Sequence, residues 1–176
     1  MKSSPAMLRD FETTAAIWKE WLGKYGEDEF VRIPDDGGWS IGQVYYHLVH
    51  GTRQYHFRQI AQCLEGRGTV IAGGKKFPGR VMFALGSFLP VRVTVPPSEA
   101  YTPKQPAGIA SMKAGLEALC DGMRETAPLI RNAAPDMKAA HRVLGFLNAA
   151  EWYQLVEMHF RHHLRQKKRI DRFLGR

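Results

Sequence analysis

Cysteine is scarce in this chain: Cys63 and Cys120 are the two present, far apart and in no C-x-x-C pair. That excludes a disulfide framework and suits a reducing compartment. Long apolar runs are missing as well. The longest, Val81 to Val95, is broken by Gly86, Pro90 and Arg92, whereas a bilayer span needs about 20 apolar residues. The N-terminal MKSSPAMLRDFETTAAIWKEW carries acids and no clean apolar stretch, so a signal peptide is not expected. Internal repeats and low-complexity tracts are absent, and there is almost no strand signal. A soluble, cytoplasmic protein without a membrane partner is expected.

Acidic residues are few toward the C-terminus. Residues 161–176 hold seven Lys or Arg against one acid, Asp171, so +6 of the net +8 lies there. Such an end can contact nucleic acid or other anionic groups. The alternative is a solvated helix end whose cations complement the helix dipole. We favour the second, because no aromatic interleaving or nucleic-acid motif accompanies the charge.

What is present is a globular composition, 44% hydrophobic and 24% charged over 176 residues, enough for one domain spanning 1–176. Four helical segments stand out. The first is predicted from Pro5 to Tyr25 with Ser4 as N-cap, and Leu8, Phe11, Ala15, Trp18, Leu22 and Tyr25 form its apolar face. The second starts at a capping box, Ser40 with Gln43, flanked by Trp39 and Val44 as a hydrophobic staple, and runs to about Glu65. The third covers Gly108 to Ala133, with Ile109, Met112, Leu116, Leu119, Met123, Ala127 and Ile130 on one side. The fourth follows a second box, Asn148 with Glu151, and a second staple, Leu147 with Trp152, and runs to about Phe173. Between the second and third lies a long connection, 67–107, holding six of the ten prolines. A short helix is expected there over Gly79 to Phe88, then an extended Val91 to Val95. This crossover would let helices two and three run parallel, and the pattern predicts an all-α four-helix bundle.

The fourth helix repeats in fours and threes: Trp152, Val156, His159, His163, Gln166, Ile170, Phe173. Three polar side chains therefore sit where a core would take Leu or Ile, each costing roughly 1–3 kcal/mol unless satisfied. His159 and His163 are an i, i+4 pair, able to share one metal ion. His47 shares the inward face of helix two with Val44, Leu48 and Gly51. If helices two and four start at the same end, its depth matches that of His159. The candidate metal ligands are thus His47, His159 and His163, which would leave an open coordination position. Gln166 could hydrogen-bond a ligand's second nitrogen or a bound water, or be a polar residue at the bundle end. His162 is a fourth ligand, an outer group or exposed. His50 and His56 are expected to be ordinary, partly exposed histidines, and His141 to fix the loop before helix four. Three separately hydrogen-bonded core histidines are the bland alternative.

These segments, Trp39-Ser40-Ile-Gly-Gln-Val-Tyr-Tyr-His47-Leu48 and His141-x-x-Leu-Gly-Phe-Leu-Asn-Ala-Ala-Glu151-Trp152 through His159-x-x-His162-His163-x-x-Gln166, resemble the DinB-like superfamily of YfiT-type metal-dependent hydrolases. The resemblance implies an up-down-down-up bundle, ligand roles for His47, His159 and His163, a zinc, nickel or similar divalent ion, and often a homodimer. Where those proteins read His-Pro before helix four, this chain has His141-Arg142. The resemblance also implies hydrolysis or thiol-dependent transfer on a small molecule, with a low-molecular-weight thiol as one candidate partner. A non-catalytic metal-binding protein, and a nucleic-acid-associated one using the basic end, rank below. No catalytic residue is nominated; Glu157 lies between the metal-facing positions and points elsewhere.

Overall fold

The computed structural model describes residues 2–67, 73–90 and 102–176. The expected extended segment Val91 to Val95 lies outside the described residues. In chain order the elements are α1 (Ser4–Leu22), α2 (Glu27–Val31), α3 (Ile41–Gly51), a π-helical turn (Thr52–His56), α4 (Phe57–Leu64), α5 (Phe77–Leu85), α6 (Ile109–Arg131), β1 (Lys138–His141), β2 (Gly145–Asn148) and α7 (Ala149–Phe173).

The protein is mostly helical, and the long helices follow the apolar periodicity. In α1 the buried face is Met7, Phe11, Thr14, Ala15, Trp18 and Leu22. Its N-cap is Ser3 rather than Ser4, with Pro5 in the first turn where a missing N–H does no harm. Tyr25 lies past the helix end and is still buried, because its hydroxyl donates to Asp171 at 2.6 Å. In α6, Met112, Leu116, Leu119, Met123, Ala127 and Ile130 are buried as expected. Both capping boxes form. Gln43 N donates to Ser40 Oγ at 3.1 Å, and Glu151 N donates to Asn148 Oδ1 at 2.9 Å.

Side-chain contacts give the helix directions. Thr14 meets Glu157 and Tyr25 meets Asp171, so α1 and α7 run the same way. Val49 lies over Gly115, where a Cβ would come within 2.9 Å, and Phe57 lies over Gly122; α3–α4 and α6 therefore run parallel, as the crossover allows. Helices α3–α4 and α7 are opposed: His47 meets His163, while Cys63 reaches the Leu147 carbonyl. The condition under which the depths would match, N-termini at one end, is therefore not met. The histidines meet because each helix brings its own middle to a crossing point, not because their depths from a common end match.

Two elements add to those expected, a short helix and a hairpin. The short α2, Glu27–Val31, is held by the Gly26 N–H donating to Glu29 and by burial of Phe30. An antiparallel hairpin pairs Lys138 with Asn148 through His141 with Gly145. Gly145 takes φ +90°, and a Cβ there would lie 2.5 Å from Lys76 N, so the turn tolerates little else. The 73–76 segment joins its edge, Lys76 N donating to Leu144 O at 2.8 Å and Phe146 N to Gly74 O at 3.1 Å. The expected helix over Gly79 to Phe88 is α5, shifted to start at Phe77 with Pro78 in its first turn. Among the described residues no helix is long and apolar enough to cross a membrane.

Asn148 both ends β2 and caps α7, and its side-chain amide also donates to the Pro135 carbonyl. Asn148→Ala is expected to destabilise the protein by about 1 kcal/mol, lowering the melting temperature by roughly 2–4 °C. Calorimetry checks this; an unchanged melting temperature would mean the cap is not what fixes the start of α7.

Candidate metal centre

Helix α3 is clamped at its start. Ser40 N donates to Gln43 Oε1 at 3.0 Å, Ser40 Oγ donates to Gln105 Oε1 at 2.9 Å, and Gln43 Nε2 donates to Pro103 O at 2.8 Å. About two turns on, His47 faces α7. Its Nε2 lies 3.0 Å from His159 Nε2, which lies 3.1 Å from His163 Nε2. All three atoms fall within 4.8 Å of one another. Two aromatic rings wall the cluster. Trp39 lies 5.1 Å from the His47 ring and stacks on His163 at 6.4 Å and 12°, and Phe88 lies 6.2 Å from His159.

Hydrogen bonds alone do not account for this convergence. His163 Nδ1 lies 2.8 Å from Gln166 Oε1, an acceptor, so the ring proton sits on Nδ1 and Nε2 presents a bare lone pair. His159 Nε2 then faces that lone pair and His47 Nε2 together, and one ring hydrogen cannot serve both. A divalent cation satisfies all three at once. Tetrahedral zinc with Zn–N near 2.0–2.1 Å would separate its ligand nitrogens by about 3.3 Å; two of the pairs here stand at 3.0 and 3.1 Å and the third within 4.8 Å. The donor set therefore fits a metal ion. His159 Nδ1 is buried without a hydrogen-bond partner, which leaves a cost of about 1–3 kcal/mol.

The electrostatics keep these rings neutral. Burial, reinforced by neighbouring histidines, lowers His47 to about 4, His163 to about 3, and His159 well below its ordinary value. Neutral imidazole is the metal-binding form.

The remaining histidines divide. His141 fixes its turn as expected, its Nδ1 accepting from Val143 N and Leu144 N at 3.1 Å. His50 is partly exposed and stacks on Tyr46 at 4.1 Å. His162 is half-buried against Phe88, with ring centroids 4.9 Å apart, and stands outside the three-nitrogen group. His56 does not match its expectation: it is buried at 7% exposure, against Trp152 and His159. The cause is the π-helical turn Thr52–His56. His56 follows His47 by nine residues, which in a regular α-helix rotates it by about 180° to the far face. The extra residue of the π turn takes back roughly 100°, bringing His56 round toward α7. Glu157 is indeed occupied elsewhere, accepting from Thr14 Oγ1 and the Arg161 guanidinium.

A surface groove among the described residues lies away from the histidines, between α1, α5 and α7. Its charges already pair, Lys75 with Glu151 and Arg161 with Glu157, so the unsatisfied chemistry belongs to the histidines. Much of the basic C-terminal end is likewise committed. Arg161 pairs with Glu157 and Arg176 with Glu29, while the buried Lys167 pairs with Asp171 at 2.6 Å and lies over the Trp21 ring.

A family model of the DinB superfamily matches residues 10–166, and the chain belongs to that superfamily. No curated protein and no solved structure matches it.

The depressed histidines have a pH consequence in the metal-free protein. In the unfolded chain an imidazole takes its proton near pH 6.5, whereas folded His47 and His163 refuse it until about 4 and about 3. Protons therefore favour the unfolded state, and stability falls as the pH drops below about 6.5. The loss is about 2 kcal/mol per histidine between pH 7 and pH 5. Urea unfolding at the two pH values measures it; equal stabilities would mean the rings are not buried neutral.

Proposed function

We propose that this member of the DinB superfamily is a metal-dependent enzyme. In this reading His47, His159 and His163 bind one zinc or nickel ion inside a four-helix bundle of up-down-down-up order. The observation that carries it is the meeting of three Nε2 atoms from two opposed helices. Among the described residues the group contains three histidines and no fourth protein ligand, and three protein ligands with an open position are the mark of catalytic rather than structural zinc. An ion held there would supply Lewis acidity, lowering the pKa of a bound water to near 7 and holding a bound thiol as its thiolate. The chain's own contribution is positional. Gln166 holds the proton on His163 Nδ1, while Trp39 and Phe88 shield two sides of the cluster from water. Hydrolysis and thiol-dependent transfer both draw on this arrangement, with a small electrophile as substrate and a low-molecular-weight thiol as co-substrate in the second. The reading places the protein in the cytoplasm as a homodimer; two buried free cysteines suit a reducing compartment. A second reading, favoured by the same bridge between α3 and α7, makes the ion a fastener of helices without turnover.

Elemental analysis of untagged protein from metal-replete cells is expected to find about one divalent ion per chain. A metal-free result sinks the proposal. His163→Ala should lose most of the ion and His50→Ala should keep it; equal losses would mean the ligands are misassigned. An activity screen of the loaded protein, pairing thiols with electrophiles beside a hydrolase panel, then separates the two readings. Turnover abolished by His163→Ala supports the enzyme, and silence throughout favours the fastener.

A further inference from the structure

Phe88 walls the histidine cluster, yet it belongs to no helix and lies three residues past the end of α5. Its ring stands 4.9 Å from His162 and 6.2 Å from His159, in a loop that needs a tether to α7 to stay there. The start of α5 is well anchored. Lys76 N donates to Leu144 O, a Cβ at Gly79 would lie 2.3 Å from the same carbonyl, and Met82 is buried. The end of α5 is thinly packed: Leu85 is 61% exposed, and Ala84 is exposed as well. The helix closes there on Gly86, in the left-handed conformation at φ +61°. Carbonyls at such an end have no partner within the helix. Arg161 supplies one, its Nη2 donating to Gly86 O at 2.5 Å. Glu157 grips the same guanidinium, accepting from Nε at 2.7 Å on Oε1 and from Nη2 at 3.0 Å on Oε2. Glu157 is itself buried and also accepts from Thr14 Oγ1. The line Thr14–Glu157–Arg161–Gly86 therefore joins α1, α7 and the end of α5. Ser87 N, donating to Met82 O at 3.1 Å, tightens the turn that leads on to Phe88. A guanidinium fork held by a carboxylate is pre-organised, so little side-chain freedom is lost in reaching the carbonyl.

From these contacts we infer that Arg161, set by Glu157, is a positioning residue for Phe88: its bond to the Gly86 carbonyl latches the end of α5 to α7 and keeps the Phe88 ring over His159 and His162. An apolar wall of this kind controls the access of water to a metal site. That consequence rests on the metal-centre reading, whereas the latch itself concerns only this chain's own contacts.

Arg161→Met keeps the aliphatic stem and removes every donor. Because it leaves Glu157 without its cation, the double variant Glu157→Gln, Arg161→Met is measured beside it. Phe88→Ala removes the ring itself, and Arg124→Gln removes a surface ion pair elsewhere. Two readouts apply: nuclear Overhauser contacts between the Phe88 and His162 rings in the metal-free protein, and the rate at which a chelator strips zinc from the zinc-loaded protein. Both Arg161 variants should lose the ring contacts and release zinc about 10-fold faster, as Phe88→Ala does. Combining Arg161→Met with Phe88→Ala should bring no further acceleration, and Arg124→Gln should match the wild type. Ring contacts kept in both Arg161 variants would overturn the inference, whatever happens to their melting temperatures. So would zinc release at the wild-type rate once the contacts are lost, or equal acceleration in Arg124→Gln. Should the wild-type protein bind no metal, the metal-centre reading fails by itself, and the ring contacts still decide the latch.

Discussion

Nitrogen lone pairs set about 3 Å apart repel one another, and an apolar seam gives them no water to relieve it. The meeting of His47, His159 and His163 at 3.0 and 3.1 Å is therefore the arrangement that the surrounding structure must hold. It is held from two ends. The Ser40–Gln43 box, tied to Pro103 and Gln105, fixes where α3 begins; the Asn148–Glu151 box, fused to the end of β2, fixes where α7 begins. Because the helices are opposed, a slip of either one along its axis separates the rings instead of carrying them together. Registry at this crossing depends on both caps at once, and the hairpin and the 102–107 loop matter to the site mainly through those caps.

The aromatic core explains how the rest of the fold can sustain such a centre. Trp18 packs edge-on against Tyr45 at 5.1 Å, and Phe11 against Phe160 at 5.4 Å. Tyr45 donates to the Trp18 carbonyl, and Trp18 donates to the Phe160 carbonyl. Each fully buried ring of this size contributes on the order of 1.5–3 kcal/mol. These contacts tie α1 to both α3 and α7, the two helices that bear the ligands. They pack on the side of the seam away from the three clustered Nε2 atoms.

Much of this could be read from the sequence, for a physical reason. Capping boxes and 3.6-residue periodicity are local, and they sufficed to place the four long helices, the inward direction of His47, His159 and His163, and the bond from Gln166 to His163. What escaped depends on contacts distant in sequence. A π turn leaves no local signature in Thr52–His56, so the α period sent His56 to the wrong face. The relative direction of α3 and α7 is set by how the crossover packs, so a shared starting end could stand only as a condition, and it is not met. The hairpin strands contain Lys138-Ala-Ala-His141 and Gly145-Phe-Leu-Asn148, with little β-branching, and they form because the 73–76 segment completes their edge. Trp39 was legible as a staple residue, yet its ring also walls His47 and His163. Phe88 carried no periodic signal at all.

Helix α7 carries two polar clusters on its buried side, and the contrast between them argues for where the chemistry lies. Toward its C-terminal end Lys167, 3% exposed, donates to Asp171 at 2.6 Å, and Asp171 also accepts from the Tyr25 hydroxyl. Burial lowers the pKa of Lys167, and the carboxylate beside it offsets that. Every charge there is answered by a neighbour, as a structural polar network requires. One and two turns earlier, His163 is answered on one edge alone and His159 Nδ1 not at all, with three ring nitrogens gathered within 4.8 Å of one another. A chain that can satisfy buried polarity so fully at Lys167, and leaves it open at His159, keeps its unanswered buried polarity at the histidines rather than in the charged groove or the basic end.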